Sequence, residues 1–450
     1  MPHKDMDEFN RVDRYIYTTI NLLNHLMFGL TFSTFGPTYV DFKYITNNTM
    51  SWVGLFPSVA AIACIVGSVF GFLYKYINRQ LTLSLLVTLQ GLATIAIPYS
   101  SEIWQLYLCI FIYGLGIGAW NNSNNVILIE MWQQSSPSFL QFSQFIYGVG
   151  TILGPLIVGP YLTGEVDYDY KIMGHNGTVI RVWNSTTIID NEWERRQKLK
   201  FPYLMGGLLQ CIGPILMFFM YFCRPYEYQS PDIDDVTADE ENQPLVNDNC
   251  VRNLVELIPK KSIIICISIF LAFGIMSENM YMDFSPTFFQ FSPLKLSANK
   301  AAEIFATMSI ALSTGRGLSV FIAMKLRPQT MISYQVIIVF VGYIYQYFGQ
   351  YSLTHLWISS IMICFGYSSI FICLFSFVGQ FMEVTDKVGA IFIASYNSVY
   401  LFLPFFLGTY IEHYPDSFLY IEFGSLCIGI SSLLLVLFLV KKVPKECLRL

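Results

Sequence analysis

Twelve long apolar runs, separated by mostly short polar segments, constrain this chain more than any other feature. They fall near residues 17–41, 52–75, 80–99, 103–129, 138–163, 202–223, 262–284, 301–324, 330–348, 355–380, 388–411 and 418–440. A helix needs roughly 20 apolar residues to cross the hydrocarbon core. An open sheet edge leaves backbone groups unsatisfied in lipid. The runs therefore predict an all-α membrane protein of twelve transmembrane helices, numbered here as spans one to twelve. Charged residues make up 13% of the chain, against about 25% in soluble proteins. The aromatic share of 16% suits belts at the two membrane interfaces.

The polar segments set the organisation. Residues 1–16 read as a cytosolic N-terminal tail, 17–223 as a six-helix half, 224–261 as a cytosolic acidic linker, 262–440 as a second six-helix half and 441–450 as a cytosolic tail. Residues 1–14 are polar and run straight into a long apolar stretch, which reads as a retained signal anchor. The linker is acidic and Pro-containing, a composition that favours disorder; its Glu241-to-Val246 stretch resembles an acidic sorting signal but reads better as plain linker. A second long hydrophilic segment, 164–200, separates spans five and six as a loop.

Orientation follows from charge and from sequons. With the N-terminus inside, cytosolic segments carry sixteen Lys and Arg and outer loops nine, six of these in the long 164–200 segment. Glycosylation sequons at Asn47, Asn176 and Asn184 fall in segments which that topology places outside. Asn121-Asn-Ser also matches but lies within a span. Seven of the ten cysteines sit inside apolar runs, with no CxxC spacing, so neither a disulfide framework nor a metal site is expected. No basic footprint for nucleic acid is present.

An internal repeat relates the halves. Phe35-Gly-Pro37-Thr38 in span one aligns with Phe284-Ser-Pro286-Thr287 in span seven. Ile77-Asn-Arg-Gln80 aligns with Leu326-Arg-Pro-Gln329. Gly154-Pro155 in span five aligns with Leu403-Pro404 in span eleven. All three matches share one offset. Two parallel six-helix repeats are the pattern of major-facilitator transporters, which expose a central site to each side in turn. Pro155 and Pro404 are candidate helix bends for such rocking, or packing kinks.

Span four holds the densest polar cluster, Trp120-Asn121-Asn122-Ser123-Asn124-Asn125, after glycines at 114, 116 and 118. Amides inside an apolar run must face protein or water, and the glycines thin the helix for close approach. Asn121 and Asn125 share a face. Amides with an indole suit a sugar, since they pair with hydroxyls while the ring packs on a pyranose; interhelical hydrogen bonding is the alternative role. Further substrate candidates are Asn24, His25, Gln144, Glu278 and Asn279. Glu278 is also the foremost candidate for coupling, while Arg316 and Glu130 are candidates for coupling or gating. Asp283, nearer the outer end of span seven, is expected to be solvated. No Walker loop, GxSxG or HExxH sequence is present, so an enzyme is not expected.

Several stretches resemble the sodium-dependent glucose transporter-like branch of the major facilitator superfamily, which is related to fucose permeases. They are Gly118-Ala-Trp-Asn121-Asn-Ser-Asn-Asn125-Val, Phe139 to Gly150 with Gly154-Pro155, Gly274-Ile-Met-Ser-Glu278 and Gly315-Arg316-Gly-Leu-Ser. The resemblance implies transport of a hexose or similar small polar solute, either facilitated or as symport with Na⁺ or H⁺. Where that branch carries an acidic residue and a span-five histidine, this chain has Asn121 and Gln144. These departures leave Glu278 as the principal coupling candidate. The expected protein is a glycosylated, monomeric, multi-pass transporter without cofactor or metal, in the plasma membrane or alternatively an endolysosomal one. A non-transporting sensor or scaffold that keeps the fold is the competing reading.

Overall fold

The computed structural model describes residues 11–73, 76–132, 136–165, 172–173, 179–180, 185–223, 260–323, 325–378 and 386–441. Residues 224–259 of the acidic linker, Asn176, Asn184, Cys250 and Cys447 lie outside the described residues, and the helix of span seven begins at Lys260, two residues before its expected start at 262. The other eight cysteines are free thiols.

Ten helical stretches among the described residues are long and apolar enough to cross a membrane. The other two apolar runs, spans one and eleven, are helical but interrupted. Span one is Arg11–Phe32 followed by Phe35–Ile45, with a turn between them. Span eleven is Asp386–Tyr400 followed by Leu403–Tyr410, with a turn at 401–402 and Pro404 in the first turn of the second piece. Proline tolerates that position because its missing N–H would be unpaired there anyway. Pro155, its repeat partner, sits inside the unbroken helix Ser136–Val158.

Span six differs from its sequence reading. Its helix runs Ser185–Cys223, so residues 185–200, expected as loop, continue the span. Their charges signalled a loop, yet Arg195 is 1% exposed and bound to Asp41. A charge met by an opposite charge need not leave the protein interior. Before that helix, in the 164–200 segment, a short ribbon pairs Ile172 with Ile180 and Met173 with Val179.

Glycines bring helices together within each half. A Cβ on Gly118 of span four would lie 2.0 Å from the Cys64 carbonyl oxygen of span two, and one on Gly116 would lie 2.7 Å from the Gln90 side chain of span three. The three alternate glycines thus serve two helix faces. Gly150 of span five meets the Leu26 carbonyl oxygen of span one at 2.1 Å by the same measure.

Contacts between the halves follow the repeat. Span two meets span eleven, where added Cβ atoms on Gly54 and Gly408 would lie 2.8 Å from the Pro404 oxygen and 2.5 Å from the Met50 oxygen. The repeat-equivalent pair, spans eight and five, meets at Gly148–Ser313 and Gly159–Asn299. The matched segments of spans one and seven meet each other: Gly36 abuts the Asp283 carbonyl, and the Tyr39 and Phe284 rings stand 5.6 Å apart. These contacts run from mid-span to the end distal to the N-terminus.

Candidate functional site

At mid-span, where Gly148 of span five abuts Ser313 of span eight, each half carries a set of polar groups. Trp120 of span four donates its indole N–H to His25 Nδ1 of span one at 3.1 Å, which assigns the other ring nitrogen the proton of a neutral imidazole. His25 Nε2 is buried and makes no hydrogen bond among the described residues. The Tyr147 ring of span five stands 5.3 Å from the His25 ring. From the other half, Arg316 of span eight donates to Glu278 Oε1 of span seven at 3.3 Å and to the Ser368 carbonyl at 3.3 Å. Arg316 lies close enough to act electrostatically on His25 and Tyr147. The site therefore holds one neutralised ion pair, a neutral imidazole, an indole and a phenol. That set offers donors, acceptors and aromatic faces without a large net charge.

Further towards the distal end the contacts turn ionic. Asp41 is 1% exposed and accepts from Arg195 Nη1 at 2.6 Å, from Gly164 N at 3.0 Å and from Thr163 N at 3.2 Å. Gly164 adopts a φ of +69°, and a Cβ there would lie 2.4 Å from Gln290 Oε1, so this turn needs glycine. The next residue, Glu165, donates its N–H at 3.0 Å to Gln290, in the helix Met276–Phe291 that extends span seven, and accepts from Tyr44 at 2.9 Å. Lys43 reaches Glu412, after span eleven, at 2.6 Å. A buried pair inside the first half thus shapes a turn that clasps the second half.

Asn24 and His25 are adjacent but point apart. Asn24 turns to span six, donating to Met217 Sδ at 3.3 Å with its amide against Gly213. Asn121 and Asn125 are exposed, while Asn124 donates to Ser143 of span five at 3.3 Å. The side chain of Asn122 lies outside the described residues. Gln144 and Asn279 are half-buried. Glu130 pairs with Arg79, tying the start of span three to the end of span four. Asn47 is exposed, with a φ of 49°.

Asp283 departs from expectation. It is 8% exposed, accepts from Tyr400 of span eleven, and is not solvated. The groups that sequence reasoning passed over are Tyr147, Tyr400 and Glu422. The tyrosines sit among 29 in the chain, and no local pattern separates a site tyrosine from one of an interfacial belt. Glu422 was legible as a carboxylate four residues into the apolar run 418–440.

The Major Facilitator Superfamily profile matches residues 22–404. Major facilitator superfamily domain-containing protein 4A of Xenopus tropicalis is 21% identical over 86% of this chain and 84% of its own length. Sodium-dependent glucose transporter 1 of Danio rerio is 22% identical over 89% of this chain and 66% of its own length. Among solved structures, the xylose transporter XylE of E. coli in a partially occluded inward open conformation superposes with a TM-score of 0.65. It is 12% identical and covers 96% of this chain and 99% of that one, a likeness in fold.

Proposed function

The chain belongs to the major facilitator superfamily, and from that premise we propose that this multi-pass membrane transporter carries a hexose-like, hydroxylated solute by alternating access. The observation that carries the reading is the mid-span cluster. His25, held by Trp120, and Tyr147 from one half lie within electrostatic reach of Arg316, the partner of Glu278, from the other. A solute bound there touches both halves, so it senses their relative position. Sugar hydroxyls both donate and accept, which matches amides, an imidazole and a salt-bridged pair better than an apolar or strongly ionic cargo would.

The exposed amides of Asn121 and Asn125 extend this surface towards the end nearer the N-terminus. Amides do not face lipid without cost, so we assign that side of span four to the water-filled path. With the N-terminus cytosolic, the distal clasp around Asp41, Glu165 and Lys43 is the outer seal, and the state described is closed to the outside. Glycosylation at Asn47, Asn176 and Asn184 and residence in the plasma membrane accord with that orientation. The names of the relatives, a sodium-dependent glucose transporter among them, support a sugar cargo.

Uptake of radiolabelled D-glucose and other hexoses into proteoliposomes tests the reading. Saturable, competable uptake is expected. Its absence for every hexose would remove the sugar assignment, and its absence for every small polar solute would favour the sensor or scaffold. Repeating uptake with Na⁺ replaced, and then with the pH gradient collapsed, separates facilitated transport from symport.

A further inference from the structure

Among the described residues, three carboxylates lie deep in the second half: Glu278, Asp283 and Glu422. Glu278 has Arg316 as a counter-charge. Glu422 of span twelve has no cation bound to it among the described residues, and it is 1% exposed. Its hydrogen-bond partners among the described residues are neutral hydroxyls. Ser277 Oγ of span seven and Tyr343 OH of span nine, at 3.2 Å, both donate to Oε2. Tyr367 OH of span ten stands 3.3 Å behind Tyr343 OH. The remaining oxygen, Oε1, is buried and has no hydrogen-bond partner among the described residues. The other titratable groups nearby are Tyr281, whose hydroxyl is turned to Gln346 and Ser360, and Glu278, one residue beyond Ser277 and engaged by Arg316.

An uncompensated carboxylate in such a place is costly. Hydroxyls relieve part of that cost on Oε2 and none on Oε1. A proton on Oε1 removes the charge altogether and needs no extra space. Sodium needs several oxygen ligands arranged around it, and Oε1 has no hydrogen-bonding group beside it among the described residues.

We propose that Glu422 is a proton-binding site of this transporter, lying outside the solute path and linked to it through span seven. The step is simple: Glu422 carboxylate takes up one H⁺ on Oε1 and becomes a neutral acid, and the reverse step releases it. The link is structural. Ser277, which holds Glu422, adjoins Glu278 of the central cluster. Both follow a π-helical turn, Phe270–Ile275, an irregularity frequent at functional sites. Within it Gly274 meets Gly429 of span twelve; a Cβ on Gly429 would lie 2.9 Å from the Gly274 Cα. Charging Glu422 strengthens its hold on Ser277 and neutralising it loosens that hold, so proton binding biases how span seven presents Glu278 to Arg316.

The inference rests on the transport reading only for its consequence, and the experiment separates the two. Infrared difference spectra of the full-length protein in nanodiscs, acid minus alkaline, should contain a buried carboxylic-acid band that Glu422→Gln abolishes. Persistence of that band in Glu422→Gln, or a response of the Glu422 signal to Na⁺ in place of pH, overturns the proposal. Glutamine mimics the neutral acid, so Glu422→Gln should fold as well as the parent; failure to fold also overturns it. In proteoliposomes, D-glucose counterflow by Glu422→Gln should stay within about twofold of the parent. Accumulation driven by a pH gradient should fall to equal concentrations inside and out. Gradient-driven accumulation that survives the substitution counts against Glu422. A parent protein without counterflow counts against the sugar reading alone, and the infrared result still decides Glu422.

Discussion

Arg316 and Glu278 form a 3.3 Å ion pair between spans eight and seven, where a lone charge of either sign would be costly. Arg316→Gln or Glu278→Gln alone leaves the other charge stranded. Each single variant should lose stability on the order of the 3–5 kcal/mol seen when buried pairs are broken, discounted because the side chains are 23% and 12% exposed. The double variant should recover much of that loss. Thermal unfolding in detergent, read as a double-mutant cycle, checks this; additive losses would show that the two charges do not support each other.

The distal clasp predicts a shift of state. Lys43 and Glu412 are partly exposed, at 18% and 20%, so their pair is worth about 0.2–1 kcal/mol after screening. Glu412→Gln should therefore raise the fraction open at the distal end by up to about fivefold. The readout is labelling of a cysteine placed at Ser58, whose hydroxyl donates to the Tyr400 carbonyl across the halves, with a membrane-impermeant maleimide. Unchanged labelling would remove Lys43–Glu412 from the seal.

Two glycines separate conformational from structural effects. Gly408→Leu inserts a side chain where even a Cβ would lie 2.5 Å from the Met50 carbonyl of the other half. It should increase labelling at Ser58→Cys and slow exchange while the fold persists. Gly118→Leu meets Cys64 of its own half at 2.0 Å. It should lower the unfolding temperature without raising labelling.

Adjacent polar residues also give a sharp contrast. Asn24→Leu removes an amide that faces Met217 and Gly213, so it should change stability but leave hexose KM within about twofold. Trp120→Phe keeps the ring but removes the donor to His25. It should cost about 1 kcal/mol of stability and raise the KM. The opposite ranking of the two KM values would move the solute site away from His25.

The fold was largely legible because lipid imposes simple demands on composition. Apolar length marked the spans, and the repeat at Phe35-Gly-Pro37 and Phe284-Ser-Pro286 marked segments that meet across the halves. The failures were electrostatic. Arg195 and Asp283 looked like residues for water, yet both are buried. Arg195 stays inside because Asp41 lies opposite, 154 residues away in sequence. Asp283 stays inside with the Tyr400 hydroxyl, 117 residues away. No local pattern announces such a partner.

The sequence by itself determined that this chain lives in a bilayer, crosses it repeatedly and folds as two related sets of helices. Hydrophobicity is a sum over neighbouring residues, so it can be read along the chain. Only the tertiary structure decided which polar groups meet. Asn24 and His25 are neighbours in sequence, but about 100° of helical rotation sends one to span six and the other to Trp120 and the interface. Glu278 acquired its arginine, while Glu422 was left with hydroxyls on one oxygen and, among the described residues, no hydrogen bond on the other. Those pairings depend on helices brought together from distant parts of the chain, and so they belong to the packed molecule.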